Sequence, residues 1–202
     1  MLHSETDEAL MARYQKGDVR AFEVLLARHR KPVYNFIYRF VGDRAQAEDL
    51  LQETFLRVIK GAESYQREAK FTTWLYTIAR NQCVDLSRRM KLRRASSLDQ
   101  ATGHGDDHNG ATLLDVVPDG GAAVERRAMD SELQTRLKAA IEQLSEEQRE
   151  VFLMREFLNM QFKEIAEVTG VPENTVKSRM RYALEKLRDL LEDYRELARA
   201  AP

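Results

Sequence analysis

Apolar residues recur at three- and four-residue spacing along most of this chain, and no stretch alternates as a half-buried strand would. The pattern predicts helices throughout. A first one can be capped by Ser4 or Thr6 and ended by Gly17 after Lys16. A second spans about 19–41, with Phe22, Leu25, Leu26, His29, Val33, Phe36, Ile37 and Phe40 at core spacing, and Gly42-Asp43 breaks it. A third covers about 44–60, turning Ala47, Leu50, Leu51, Phe55 and Val58 inward. After a loop from Gly61 to Lys70 comes FTTWLYTIARNQCVDLSRRMKLRR, a helix whose apolar face takes Phe71, Leu75, Ile78, Ala79 and Leu86. Four such helices predict an independent core.

The period lapses in ASSLDQATGHGDDHNGATLLDVVPDGGAAVE, which carries five glycines and a proline and reads as a flexible linker. Leu113, Leu114, Val116 and Val117 form an apolar island within it that could dock on another surface. Helical spacing resumes near Arg126 and continues to about Leu197 in four pieces, the first ending near Gln143. Ser145 followed by Gln148 is a capping box for the next, which carries Val151, Phe152, Met154 and Phe157. Phe162 to Thr169 then makes a short helix, Gly170 can end it in the left-handed conformation, and Pro172 suits the first turn of another. Small Ala166 lets those two helices approach, Val171 and Val176 pack across the turn, and Met180, Leu184 and Leu187 continue the inner face. This is a helix-turn-helix pattern. The expected fold is all-α: a helical domain over 1–94, an acidic linker over 95–125, and a second helical domain over 126–202.

Charge changes the picture. The net of −1 over 202 residues hides segregation. From Arg67 to Arg94 eight Lys or Arg face two acids, whereas Ala95 to Glu125 holds six acids and no Lys or Arg. A basic surface for a polyanion followed by an acidic tether fits that distribution. Cys83 is alone, which excludes an intrachain disulfide, and its helical position favours a packing residue over a redox sensor. The start, MLHSETDEALMARYQKGD, has neither a signal-type apolar run nor a span, so a cytoplasmic protein without stable membrane insertion is expected.

Three groups carry candidate chemistry. Trp74 falls at the border of its helix's apolar face, beside Thr77, Asn81 and Arg88, with Tyr65, Phe71 and Tyr76 near in sequence and Arg80 and Arg89 following. Aromatics interleaved with cations suit single-stranded nucleic acid; the plainer reading is a ring sealing the core's rim. The last helix of the helix-turn-helix offers Asn174, Thr175, Lys177, Ser178, Arg179 and Arg181, where such a helix meets base edges and phosphates. Glu48, Asp49, Gln52 and Glu53 cluster on the third helix. They could be a solvated face, a docking patch for a basic partner, or, with a metal, a hydrolytic site. His104 and His108 lie four apart in a glycine-rich stretch near Asp106 and Asp107, a poor ligand set beside a solvated-linker reading. No metal, cofactor or small-molecule substrate is expected.

These segments, in this order, resemble the extracytoplasmic-function group of bacterial sigma factors over nearly the whole chain. The carriers are AFEVLLARHRKPVYNF, DLLQETFLRVIK and FTTWLYTIARNQCVDLSRR in the first half, and LSEEQREVFLMREFLNMQFKEIAEVTGVPENTVKSRMRYALEKLR in the second. The resemblance implies a non-enzymatic transcription initiation factor. In it, Asp49, Gln52 and Glu53 contact the clamp helices of core RNA polymerase. The loop from Ser64 to Lys70 and the helix through Asn81 open the −10 element and capture a flipped base, with Tyr65, Lys70, Trp74, Thr77, Asn81, Arg88 and Arg89 serving −10 recognition and melting. Asn174, Thr175, Lys177, Ser178, Arg179 and Arg181 serve the −35 element, with Arg181 and Tyr182 at positions where relatives vary. The same resemblance implies an anti-sigma partner and a linker threading polymerase channels. The rival readings are a helix-turn-helix regulator with a sensing or dimerising first half, and a metal-dependent nuclease.

Overall fold

The computed structural model describes residues 4–66, 70–98 and 135–192, and all the regular structure among them is helical. Of the expected linker, residues 95–98 continue the helix that begins at Phe71, and the remainder, with His104, His108 and the apolar island, lies outside the described residues. Helix α1 (Asp7–Tyr14) starts where the Thr6 hydroxyl accepts a hydrogen bond from Ala9 N. Helix α2 (Val19–Val41) stops at Gly42, whose φ of +78° is the left-handed conformation that favours glycine. Asp43 then caps α3 (Arg44–Gly61) by accepting from Gln46 N at 2.8 Å. A 3-10 turn over Ala62–Ser64 follows, and α4 spans Phe71–Leu98.

Helices α2, α3 and α4 pack around Phe36, Ile37, Val58, Phe71 and Leu75, all essentially inaccessible, with α1 laid against α2 and α4. Polar ties fix α1. Asp7 receives Arg28 Nη1 at 2.7 Å and faces His29 Nε2 at 2.7 Å, which accounts for a histidine at a core-spaced position. The Glu8 carboxylate accepts from Phe71 N at 3.0 Å, so α1 supplies an anion to the first turn of α4.

The second unit contains α5 (135–142), α6 (Glu146–Glu156), α7 (Phe162–Thr169) and α8 (Glu173–Leu190). Both halves of the Ser145–Gln148 capping box are formed. Ser145→Ala should lower unfolding stability by about 1 kcal/mol, read from urea midpoints, with the helix itself retained. Gly170, at φ +71°, turns the chain between α7 and α8. Three expectations need correction. Pro172 is the residue before α8 rather than its first-turn member. Leu184 is 48% exposed because the inner stripe runs Val176, Met180, Ala183, Leu187, and Leu184 lies one position round the helix. Phe157 falls beyond the end of α6, where the helical period no longer applies, and is 39% exposed under the Arg39 guanidinium, 4.2 Å from its ring centre.

The two units pack against each other, α2 on α6 and α4 on α7. Arg149 anchors this junction. It donates to the Phe40 carbonyl at the end of α2 (3.1 Å) and to the carbonyls of Ile141, Glu142 and Leu144 around the α5–α6 turn. An arginine at the carbonyl end of a helix also meets its dipole favourably.

Candidate nucleic-acid interface

Trp74 sits in the first turn of α4, half-buried at the edge of the core. Its ring centre lies 5.0 Å from that of Tyr65 and 6.1 Å from that of Phe71. On another side it meets the end of α3: a Cβ built on Gly61 would come within 3.2 Å of Trp74 Cζ2. Glycine there lets the indole lie close over the α3 backbone. The neighbours the sequence suggested divide sharply. Tyr65 and Tyr76 are buried, at 6% and 4% exposure, and form part of the floor rather than the surface. Tyr65 therefore supports the indole instead of presenting its own face. Thr77 is half-buried and donates to the Thr73 carbonyl, while Asn81, Arg88 and Arg89 are exposed one to four turns along. Cys83 is wholly buried, and burial pushes its thiol well above the ordinary range.

The basic groups of α4 are not idle. Lys70, just before the helix, binds Glu164 of α7. Arg80 Nε meets Glu150 Oε2 of α6 at 2.7 Å, and Lys91 binds Glu146. Glu150 is 1% exposed and also receives Arg179 Nη1 at 3.3 Å. Burial raises the Glu150 carboxyl above its usual range despite the hydrogen bond and positive charge of Arg80. Arg80 belongs to this surface although the sequence reading placed it only among followers of Trp74.

On α8, Asn174, Lys177, Ser178 and Arg181 face solvent, and Thr175 is half-buried. Lys177 pairs with Glu173 one turn back (2.7 Å), and the Arg181 guanidinium lies 4.8 Å from the Tyr182 ring centre. Arg179 departs from expectation. Its side chain turns to Glu150 and is only 26% exposed, because residue 179 adjoins the inner stripe at Val176 and Met180.

Asp49 and Gln52 are exposed on α3, and Glu53 is half-buried beside them. A hydrogen bond from Arg57 holds the Glu53 carboxyl below its usual range. The sequence reading missed Leu56 and Ile59, which continue this face at 48% and 42% exposure. Both were visible as apolar residues left over from the inward stripe of α3.

Helical packing, a helix-turn-helix and a basic helix with a rimmed indole define a nucleic-acid-associated protein of two helical units. Family comparison makes this specific. Residues 25–94 match the model of Sigma-70 region 2, and residues 134–187 that of Sigma-70, region 4. The chain is 31% identical to the RNA polymerase sigma-H factor of Pseudomonas aeruginosa over 191 residues, covering 93% of this chain and 94% of that one. It is 30% identical to the ECF RNA polymerase sigma factor SigW of Bacillus subtilis over 179 residues (89% and 93%), and 34% to the sigma factor CarQ of Myxococcus xanthus over 181 residues (90% and 95%). The chain belongs to the extracytoplasmic-function group of RNA polymerase sigma factors, the initiation factors that direct core polymerase to promoters. Its fold is similar to that of CnrH, solved with the cytosolic domain of CnrY: TM-score 0.67 at 24% identity, covering 94% of this chain and 99% of that one. Among the described residues no helix is long and apolar enough to cross a membrane.

Proposed function

We propose how the work of a sigma factor is divided among these residues. The face of α3 bearing Asp49, Gln52, Glu53, Leu56 and Ile59 docks on core polymerase. The start of α4 opens the −10 element: Trp74 offers a stacking surface to an unpaired base, and Lys70, Asn81, Arg88 and Arg89 follow the strand. The exposed N-terminal half of α8 reads the −35 element through Asn174, Thr175, Lys177, Ser178 and Arg181. Arg179 acts within the unit, bracing α8 on α6 through Glu150. The boundaries at residues 94 and 126 belong to the same proposal; the first matched family span ends at 94 and the second begins at 134. An anti-sigma protein as partner is also part of it, because the similarly folded RpoE of Bartonella quintana was solved with the anti-sigma factor NepR (TM-score 0.64, 22% identity).

The observation that carries this reading is the half-buried indole on a cation-bearing helix, in the same chain as an exposed recognition helix. Run-off transcription with purified core polymerase tests it: promoter-directed transcripts should require this chain. A template that yields none at any chain concentration, with polymerase still bound, would refute the division of labour. For α8, Lys177→Ala should weaken −35 binding about equally on all sequences and reduce the salt slope of holoenzyme binding by about one. Arg181→Ala, if it removes a base contact, should instead relax one promoter position at a cost of roughly 1–3 kcal/mol. Footprinting across a promoter library separates the two patterns.

A further inference from the structure

The indole of Trp74 is walled by Gly61 at the end of α3, by Tyr65 and by Phe71. Helix α1 reaches all three stretches with two side chains. Gln15 Nε2 donates to the carbonyl of Ala62, next to Gly61, at 2.8 Å and to that of Tyr65 at 3.0 Å. The Glu8 carboxylate accepts from Phe71 N at 3.0 Å. Helix α1 is itself fixed on α2. Leu10 and Met11 are wholly buried, Tyr14 stacks on Phe22 with ring centres 4.7 Å apart, and Asp7 holds Arg28 and faces His29. It therefore serves as a base from which the seat of the indole is held. Both side chains precede residue 25, where the matched Sigma-70 region 2 span begins.

We infer that Gln15 and Glu8 are positioning residues for promoter opening, which set the tilt and exposure of the Trp74 ring by holding the backbone on both sides of it. The inference rests on the proposed stacking role of Trp74. A stacked base needs a ring face at a fixed height, since a gap of about 0.5–1 Å forfeits roughly a quarter to a half of the attraction between two atoms. The two Gln15 bonds fix the turn that carries Tyr65 beneath the indole. The Glu8 bond fixes the first turn of α4, from which Trp74 projects, and places a negative charge at that helix's N-terminus. Neither side chain needs to touch DNA.

The test uses the full chain. Gln15→Met keeps the length of the side chain and removes its donors, whereas Gln15→Lys restores a donor; Glu8→Met removes the acceptor and Glu8→Gln keeps one. Exposed Lys16→Met is the control. Trp74 is the only tryptophan, so its emission maximum and acrylamide quenching read the seat without any DNA. Both should shift in Gln15→Met and Glu8→Met, and recover in Gln15→Lys and Glu8→Gln. A hydrogen bond of this kind moves an equilibrium by about two- to twelvefold. Open complexes, read by permanganate, should therefore fall on the order of fivefold in Gln15→Met and in Glu8→Met, with co-purified core polymerase unchanged. Added to Trp74→Ala, either substitution should cost less than about twofold more, because it acts through the ring. Should Glu8→Met fail to fold, the two Gln15 variants decide. Unshifted emission, or a full further loss in the Trp74→Ala background, would overturn the positioning role. Normal opening by Trp74→Ala itself would overturn the stacking reading and this inference with it; a Trp74→Ala defect without a Gln15→Met defect would overturn this inference alone.

Discussion

Trp74→Ala is expected to lower the population of open promoter complexes roughly 5- to 150-fold, because stacking of a base on an aromatic ring is worth about 1–3 kcal/mol. Duplex promoter binding by the holoenzyme should change little. The indole is held by Tyr65, Phe71 and the bare backbone of Gly61, so its position is fixed before any strand arrives. A pre-melted −10 bubble should restore only part of the loss, since it supplies the opening but not the surface. Trp74→Phe should keep much of the activity, having a smaller ring in the same place. If the ring only seals the core, Trp74→Ala will instead lower the melting temperature, and polymerase binding and opening will fail together. Permanganate reactivity of promoter thymines, read beside a melting curve, decides. Normal reactivity in a well-folded variant sinks the stacking role.

Asp49→Arg combined with Leu56→Arg should weaken binding to core polymerase by roughly thirtyfold or more. Central contacts of a protein interface cost about 2 kcal/mol or more when lost, and this change adds two repulsive charges. Both side chains are exposed and neither contributes to the core of α3, which is built from Ala47, Leu50, Leu51, Phe55 and Val58. Circular dichroism should therefore be unchanged. Glu53→Arg alone is expected to do less, because Arg57 already neutralises part of that charge. Co-purification with core polymerase measures each variant, and full binding by the double variant would remove this face from the mechanism.

The elements were legible where local chemistry fixes them. Thr6, Gly42, Asp43, the Ser145–Gln148 pair and Gly170 each mark a helix end in the sequence and mark it again in three dimensions. The core was legible as far as helical periodicity reaches: Phe36, Ile37, Leu75 and Val176 are all buried. Contacts between units were not. Arg149 on the Phe40 carbonyl, Arg80 on Glu150 and Lys70 on Glu164 join residues 109, 70 and 94 positions apart. A charged residue at such a junction reads like any solvated one. Within the candidate site the limits were finer. A period of 3.6 cannot say whether a residue at the edge of a stripe, such as Arg179 or Leu184, turns inward or out. Tyr65 lies outside any helix, so no period applied to it, and its burial follows from packing beneath the indole. Leu56 and Ile59 were visible only as a remainder.

The close seat of Trp74 over Gly61 has an optical consequence. The chain contains one tryptophan, so all indole emission comes from this site. An unlabelled protein thus carries a native reporter at the proposed point of strand capture. A base laid on the ring should quench it, and the rate of that quenching in stopped flow would give the time at which the strand arrives. Enlarging residue 61 to valine would tilt or lift the ring and shift its emission maximum before any nucleic acid is added, which calibrates the signal against a known displacement.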